Sequence, residues 1–499
     1  MTSLRRAGVG IWLAVALTSF CTLTAGGSMT SRDPVVAYDV TRNLVQHGSI
    51  TVSESLMSIE SYRGRDGHYY SPFGIAQSIW NVPFYLAGRM VERLGFSAGG
   101  TETVPKAAVA LGTVPAVSLL AWVCFELLLV LGVRDRRALW IAALTIVATP
   151  LWPYSGFGFN QPLSGLFVWM SILAAVSAKG RPHLWFLSAF AAGVAMLTRH
   201  EMALSAAIVG CYVTISAAPA HRRNAALAYG AGFAIPLAIW GGLNWWRFGN
   251  FLDSGYLHDS TPGYGSSVVD GTLGLLFSPY ASLWLYCPIA IAAVPAWMAM
   301  RRERPSAAWL FLAIFMSLFG LYASLGNWMG GRSYGPRYLV PVLPALTLPL
   351  AFWNPGRLAR RLTVGLAVVS VLVQVPGVVV DYAKVRVERA RAGETVAQDP
   401  RWSGCALLLN TRATLTLVPN ALRQFAGLEP RPAIDPQASE LSDALSVSPD
   451  FWWLYLWYLN RLNRVAALGI AAILAVGAVA AFARAYRLTS ADRGSVWSL

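Results

Sequence analysis

The sequence predicts an all-α protein that crosses a membrane many times. Of its 499 residues, 56% are hydrophobic and only 13% are charged, and the mean hydropathy is +0.49. Soluble domains carry a charge at about a quarter of their positions, so this composition excludes an ordinary soluble enzyme. The 20 tryptophans agree with a membrane location, because Trp concentrates where a bilayer meets water.

Apolar runs that approach the ~20 residues needed to cross a bilayer recur along the chain. We expect about twelve helices, at 9–25, 107–131, 138–154, 161–177, 183–198, 202–217, 225–243, 282–299, 306–325, 338–353, 361–380 and 464–484.

The loops between these runs predict the orientation. Lys and Arg collect in short cytoplasmic loops, and alternate loops here are basic: 134–137, 179–183, 221–224, 301–304 and 356–361. Both termini are therefore expected in the cytoplasm. The net charge of +15 is explained in the same way, so we do not expect nucleic acid as a partner.

Three regions follow from this topology. Residues 1–381 form a transmembrane module that contains a long first outside loop, 28–106. Residues 382–463 form an extracytoplasmic segment, and residues 464–499 form the last helix and a cytoplasmic tail. The five cysteines show neither the pairing of a disulfide framework nor the spacing of a zinc site.

The first outside loop begins with a helix-start signal at Asp33-Pro34. Asp is a favoured N-cap residue and Pro is favoured in the first turn. A spacing of four between the apolar residues that follow predicts a short amphipathic helix on the membrane surface, with Val36, Val40 and Leu44 on its apolar face. A second surface helix is expected over 75–94, bent at Pro83.

Six short motifs follow in order: DGHYYSPFGIAQSIWNVPFYLAG (66–88), TPLWPYSGFGFNQP (149–162), LTRHE (197–201), NWWRFGNFLDSGY (244–256), LFSPYASLWLYCP (276–288) and GGRSYGPRYLVPVLP (330–344). With the acidic residue and the two surface helices of the first outside loop, they resemble the GT-C superfamily of membrane glycosyltransferases, which use polyprenyl-phosphate-linked sugars. The layout is similar to that of protein O-mannosyltransferases and lipid A aminoarabinose transferases.

Two positions depart from the pattern of these families. The acidic position often reads Asp-Glu in them, whereas this chain has Asp33-Pro34. Related chains often have a Lys directly after Tyr-Ser, whereas this chain has Pro72. Another basic residue would then have to supply that phosphate contact.

The resemblance implies transfer of a sugar from a polyprenyl-phosphate donor to an extracytoplasmic glycan, lipid or protein acceptor, in a hexosyl or pentosyl transfer. The acceptor hydroxyl needs a general base, and Asp33 is the candidate. The departing phosphate needs cations, which Arg supplies well. We expect it to bind Arg199, Arg332, Arg337 and Tyr70. Possible substrate contacts are Asp39, His68, Tyr69, His200, Glu201, His258 and Asp259.

Structural interpretations stay open for several of these residues. Asp33 would then only cap a helix, and Asp39 would only occupy a solvated face. Tyr69 and Tyr70 would be interfacial anchors, and Arg199 would only pair with its neighbour in the motif 197–201. No cofactor is expected, and no metal-ligand spacing is visible, although the two aspartates and a lipid phosphate could share a divalent ion.

A transporter or flippase of a lipid-linked or small solute is the alternative function. Transporters typically show internal repeats and ionisable groups near the middle of the membrane. This chain has no apparent repeat, and its one clear carboxylate within a span, Glu126, lies near a cytoplasmic end. A polymerase or ligase of surface glycans is a third possibility that composition leaves open.

Overall fold

The computed structural model describes residues 3–29, 31–56, 62–96, 102–256, 267–331, 333–391, 402–431 and 448–490. Three candidate site residues, Arg332, His258 and Asp259, lie outside these ranges. Within them helices predominate and the strands form one two-stranded hairpin, which confirms the all-α class.

The first outside loop contains two helices, as predicted. The opening helix of the chain, α1, spans Ser3–Thr24. It is followed by α2 (Arg32–His47), the antiparallel strands β1 (Thr51–Val52) and β2 (Tyr69–Tyr70), and α3 (Ile75–Arg93).

The start of α2 differs from the prediction by two residues. Ser31 is its N-cap and makes no side-chain cap bond, and Asp33 lies inside the first turn. The predicted role of Asp33 as the cap is therefore wrong. Its carboxylate instead meets a cation from a distant part of the chain.

Asp39 does not lie on a solvated face. It is buried, and one carboxylate oxygen accepts a hydrogen bond from the backbone N–H of Ser53 at 2.6 Å. The Ser53 hydroxyl donates to the other oxygen at 3.2 Å, and Arg42 forms an ion pair with it. Asp39 therefore ties α2 to the residue after β1, and the interpretation as a solvated residue was wrong.

The middle of the chain forms the helical bundle. Its helices are α4 (Thr103–Leu111), α5 (Thr113–Val130), α6 (Asp135–Val147), α7 (Gln161–Ser177), α8 (Pro182–Thr198), α9 (Ala203–Ser216), α10 (Arg222–Phe248) and α11 (Val268–Phe277). The second part comprises α12 (Leu283–Tyr286), α13 (Ala293–Glu303), α14 (Pro305–Ala323), α15 (Pro344–Thr347), α16 (Arg357–Val379) and α17 (Tyr382–Arg391). The last three helices are α18 (Ala406–Ala426), α19 (Trp452–Tyr458) and α20 (Arg464–Ser490).

Six helical stretches among the residues described are long and apolar enough to cross a membrane. They are Ala7–Thr24, Thr103–Val130, Pro219–Phe248, Pro305–Ala323, Arg357–Val379 and Arg464–Thr489. Three shorter apolar helices accompany them, at Gln161–Ser177, Pro182–Thr198 and Val268–Phe277. The chain is thus an integral membrane protein, but the twelve predicted spans are not confirmed.

Prolines explain part of the difference in the number of spans. The predicted span 282–299 is divided into α12, a 3-10 turn that begins at Pro288, and α13. The predicted span 338–353 is divided into short pieces that contain Pro341, Pro344 and Pro349. Pro lacks the backbone N–H that continues a helix and clashes with the preceding turn.

The C-terminal part of the chain packs back onto α1. The indole N–H groups of Trp452 and Trp453 donate to the carbonyls of Thr22 and Leu23, both at 2.8 Å. The backbone N–H of Trp452 also donates to the carbonyl of Ala25. The α19 helix therefore holds the end of α1, from which the chain runs to Asp33.

A buried ion pair joins α17 to this C-terminal segment. Lys384 Nζ lies 2.9 Å from an Asp450 carboxylate oxygen, and the two side chains are 6% and 0% exposed. The other Asp450 oxygen accepts from the backbone N–H of Asp381 at 2.6 Å. The Tyr455 hydroxyl also donates to Asp450.

We predict that Asp450→Ala strongly destabilises the protein. Removing one partner of a buried pair leaves the other charge uncompensated, which costs about 3–5 kcal/mol. Thermal unfolding in detergent should show a large decrease in Tm. The matched control is Glu429→Ala, because its partner Arg423 is 59% exposed and exposed pairs contribute at most about 1 kcal/mol. Equal decreases in Tm for the two variants would contradict this prediction.

Candidate active site

Two predicted site residues from opposite parts of the chain are in contact. Asp33, in the first turn of α2, forms an ion pair with Arg337. Their side chains are 20% and 7% exposed, respectively. The pair thus combines a partly accessible carboxylate with an almost fully buried guanidinium.

A glycine turn precedes Arg337. Gly330 and Gly331 have φ angles of 77° and 75°, in the left-handed region that favours glycine. The carbonyl of Gly330 accepts a hydrogen bond from Arg337 Nη1 at 3.2 Å. The Gly-Gly sequence of the motif 330–344 therefore allows a turn whose backbone holds the guanidinium in place.

Arg199 lies in the turn between α8 and α9, with Glu201 as its partner. Arg199 Nε donates to a Glu201 carboxylate oxygen at 2.7 Å. The hydroxyl of Tyr322, near the end of α14, donates to the same oxygen at 2.5 Å. The ion pair expected within the motif 197–201 is therefore present, and the two side chains are 10% and 21% exposed.

Gln161 links the two arginines. Its amide oxygen accepts from Arg337 Nε at 2.8 Å and from Arg199 Nη1 at 2.7 Å, in the amide orientation that satisfies all its neighbours. The amide nitrogen donates to Asn160 Oδ1, which also accepts from Arg199 Nη1 at 2.8 Å. Both amide side chains come from the start of α7. Arg199 and Arg337, two of the four predicted phosphate ligands, thus belong to one hydrogen-bonded cluster.

Aromatic rings cover this cluster. The rings of Tyr322 and Tyr338 stack with centroids 4.5 Å apart and planes 8° apart. The guanidinium carbons of Arg199 and Arg337 each lie 5.8 Å from the centroid of the Tyr338 ring. Arg337 also lies 4.9 Å from the ring centroid of Phe159. A cation is stabilised over such a ring face, more so where water is excluded.

The electrostatics of the two arginines differ. Burial lowers the pKa of Arg337. Burial acts in the same direction on Arg199, but the Glu201 carboxylate and the neighbouring tyrosines together outweigh it and raise the pKa of Arg199 above its ordinary value. For Glu201 itself, burial raises the pKa, whereas Arg199 and the Tyr322 hydroxyl hold it below its ordinary range. The Arg199–Glu201 pair is therefore charged at neutral pH.

His200 faces away from this ion pair, toward α10. Its Nδ1 accepts a hydrogen bond from the indole N–H of Trp240 at 2.7 Å, and its ring packs edge-on against Tyr256. Burial lowers the pKa of His200 to about 4. Since Nδ1 is the acceptor, the proton of the neutral ring lies on Nε2.

Arg247 is a buried cation that the sequence analysis did not select. Its Nη1 donates to the carbonyl of Ser71 at 2.9 Å, and its Nη2 donates to Asn244 at 2.7 Å. No carboxylate of the described chain lies within 4 Å of it. Ser71 directly precedes Pro72, so Arg247 places a cation next to this proline.

The other predicted site residues of the first outside loop contact residues that do not belong to the arginine cluster. The Tyr70 hydroxyl donates to Asp66 at 2.5 Å, and its ring packs against Trp246 and Phe248. Tyr69 pairs with Val52 in the hairpin. His68 is exposed, and its backbone N–H donates to Asp66.

The sequence analysis did not identify several residues of the cluster. Asn160 and Gln161 end the motif 149–162, directly before Pro162, and a polar amide pair at the start of an apolar helix was a usable signal. Tyr338 follows Arg337 in its motif. Tyr322 had no such signal, because it lies within an apolar span.

Comparisons with known proteins give matches only among solved structures. No family model and no curated protein sequence matches the chain. ArnT from Cupriavidus metallidurans in the apo state is 14% identical over 96% of this chain and 76% of that chain, with a TM-score of 0.49. The same enzyme bound to undecaprenyl phosphate is 17% identical over 97% and 77%, with a TM-score of 0.46.

An archaeal oligosaccharyltransferase, AglB from Archaeoglobus fulgidus, also matches. Its complex with an inhibitory peptide and a dolichol-phosphate is 12% identical over 90% of this chain and 56% of that chain, with a TM-score of 0.47. With TM-scores below 0.5, these similarities do not by themselves establish an activity.

We predict that the thermal stability of the protein depends on His200 between pH 6.5 and 4.5. The folded pKa of about 4 lies below the value near 6.5 for an unfolded histidine, so the unfolded state binds more protons in this window. Stability should therefore fall as the pH is lowered from 6.5, and His200→Gln should show a smaller fall.

The measurement is the Tm in detergent at several pH values. The charged groups near the imidazole are Glu201, Arg199 and Arg247. Glu201 has its pKa below its ordinary value, so its own titration contributes at lower pH than that of His200. Identical pH profiles for wild type and His200→Gln would show that the histidine is not responsible.

Proposed function

We propose that the protein is a glycosyltransferase. It moves a sugar, as a hexosyl or pentosyl group, from a polyprenyl-phosphate-linked donor to a hydroxyl of an extracytoplasmic glycan, lipid or protein. The observation that carries this proposal is the contact of Asp33 with Arg337, which Gln161 links to Arg199. A carboxylate and two guanidiniums in one small cluster are the groups that this transfer needs.

The arginines serve the leaving group in this proposal. As the bond between the anomeric carbon and the phosphate oxygen breaks, the bonding electrons move onto the lipid phosphate. Guanidinium groups bind phosphate oxygens through paired N–H donors and stabilise the negative charge that develops. Arg337 and Arg199 take this role, and Arg247 supplies the further cation near Ser71 that Pro72 cannot provide.

Asp33 serves the acceptor. It takes the proton of the acceptor hydroxyl while the acceptor oxygen forms its bond to the anomeric carbon. The products are the glycosylated acceptor and the free polyprenyl phosphate, and the proton resides on Asp33 until it passes to water. In the structure Asp33 is held by Arg337. A donor phosphate that binds Arg337 would therefore release the carboxylate toward the acceptor.

Asp39 has no part in this scheme. Its oxygens are occupied by Ser53 and Arg42, and it joins α2 to the hairpin. A divalent ion shared between Asp33 and Asp39 is therefore not part of the proposal. His200 is not a base in it either, because its Nδ1 is occupied by the indole N–H of Trp240.

The proposal places the cluster on the extracytoplasmic side and both termini in the cytoplasm. The basic short loops support this orientation through the positive-inside rule. Segment 382–463 then lies on the same side as the cluster. Its described part contacts the end of α1, close in sequence to Asp33, which suits a role in acceptor binding.

We predict that Asp33→Asn lowers the rate of sugar transfer by at least ~100-fold, the contribution typical of a general base. The purified protein is supplied with a panel of polyprenyl-phosphate sugars and acceptors, and both transfer and hydrolysis are measured. Glu303→Gln, an exposed position in the short basic loop 301–304 on the cytoplasmic side of the proposed topology, serves as the active control.

Two outcomes would contradict the proposal. Wild-type turnover by a folded Asp33→Asn protein would show that Asp33 is not the base. Uptake of a solute into liposomes without formation of any glycoside product would favour the transporter.

A further inference from the structure

The side chain of Gln161 forms hydrogen bonds with both arginines of the cluster. Its side chain is completely buried, and its amide oxygen lies 2.8 Å from Arg337 Nε and 2.7 Å from Arg199 Nη1. One oxygen with two lone pairs therefore accepts from two different guanidiniums. Because both guanidiniums donate to this one oxygen, it limits how far apart they can lie.

The bridge is neutral, and this affects the charge of the cluster. Among the described residues, Arg337 and Arg199 each have one carboxylate partner, Asp33 and Glu201 respectively. The four side chains sum to zero net charge, and Gln161 adds none. A carboxylate in its place would give the cluster an excess negative charge, which repels an incoming anion.

The position of Gln161 is fixed by α7. The residue begins the helix, and Pro162 follows it in the first turn. The amide nitrogen of Gln161 donates a hydrogen bond to Asn160 Oδ1 at 3.2 Å. Gly165, one turn further on, lies close to the backbone of Pro341, in the 3-10 turn that begins at Arg337. The amide is thus held by the same packing that brings α7 to the Arg337 turn.

We propose that Gln161 is the positioning residue of the anion site, which sets the spacing of Arg199 and Arg337 without neutralising either of them. This inference rests on the proposed function, in which the two arginines bind the donor phosphate. Gln161 acts through the arginines and does not itself contact the reacting atoms.

Gln161→Glu separates this role from a purely structural one. The variant has nearly the same shape, and a carboxylate forms stronger hydrogen bonds with two guanidiniums than an amide does. We expect an unchanged or higher Tm together with at least a tenfold weaker affinity for polyprenyl phosphate in detergent. Transfer should show a raised KM for the donor with a smaller change in kcat.

Two further variants complete the test. Gln161→Met keeps the length of the side chain but removes the acceptor, so both Tm and affinity should decrease. Gln374→Glu introduces the same charge at a buried glutamine of α16 whose amide contacts Tyr286 and Ser370. Because that site contacts neither arginine, its folded fraction should bind polyprenyl phosphate as the wild type does.

The outcomes distinguish the inference from the proposed function. If wild type binds polyprenyl phosphate and folded Gln161→Glu binds it equally well, the bridging role is wrong while the proposed function stands. If Gln161→Glu does not fold, unchanged affinity in Gln161→Met overturns the role in the same way. If wild type binds no polyprenyl phosphate, the proposed function fails, and the inference fails with it.

Discussion

The ion pair between Asp33 and Arg337 is the contact on which the candidate site depends. It places the only carboxylate of α2's first turn against a buried guanidinium, and burial of that guanidinium is favourable only with a partner. In the structure the two groups satisfy each other. The same contact therefore stabilises the site and leads to competition, because a lipid phosphate and Asp33 would both bind Arg337.

The fold brings together four segments to make this cluster. The start of α2 supplies the carboxylate, the start of α7 supplies the amide bridge, the turn between α8 and α9 supplies Arg199, and the Gly-Gly turn leads to Arg337. The described part of the C-terminal segment adds no residue to the cluster. It holds the end of α1 through two tryptophan side chains and thus limits the path of the chain toward α2.

Much of this arrangement could be predicted from the sequence. Composition predicted the helical membrane protein, and local patterns predicted α2 and α3 and selected Asp33, Arg199 and Arg337. Partners could not be predicted, because contacts between distant segments depend on packing. Asp39 appeared exposed by periodicity, yet it is buried against Ser53. The prolines after residue 282 indicated that the predicted spans there are interrupted. The continuous hydropathy of these segments obscured that indication.

The most direct test of the account is the affinity of Asp33→Asn for polyprenyl phosphate, measured at equilibrium beside wild type. If the donor phosphate and Asp33 compete for Arg337, removing the negative charge frees the guanidinium. The variant should then bind the lipid phosphate more tightly, by about tenfold, which corresponds to ~1.4 kcal/mol. An affinity equal to or weaker than that of wild type, in a variant that unfolds at a similar temperature, would contradict the account.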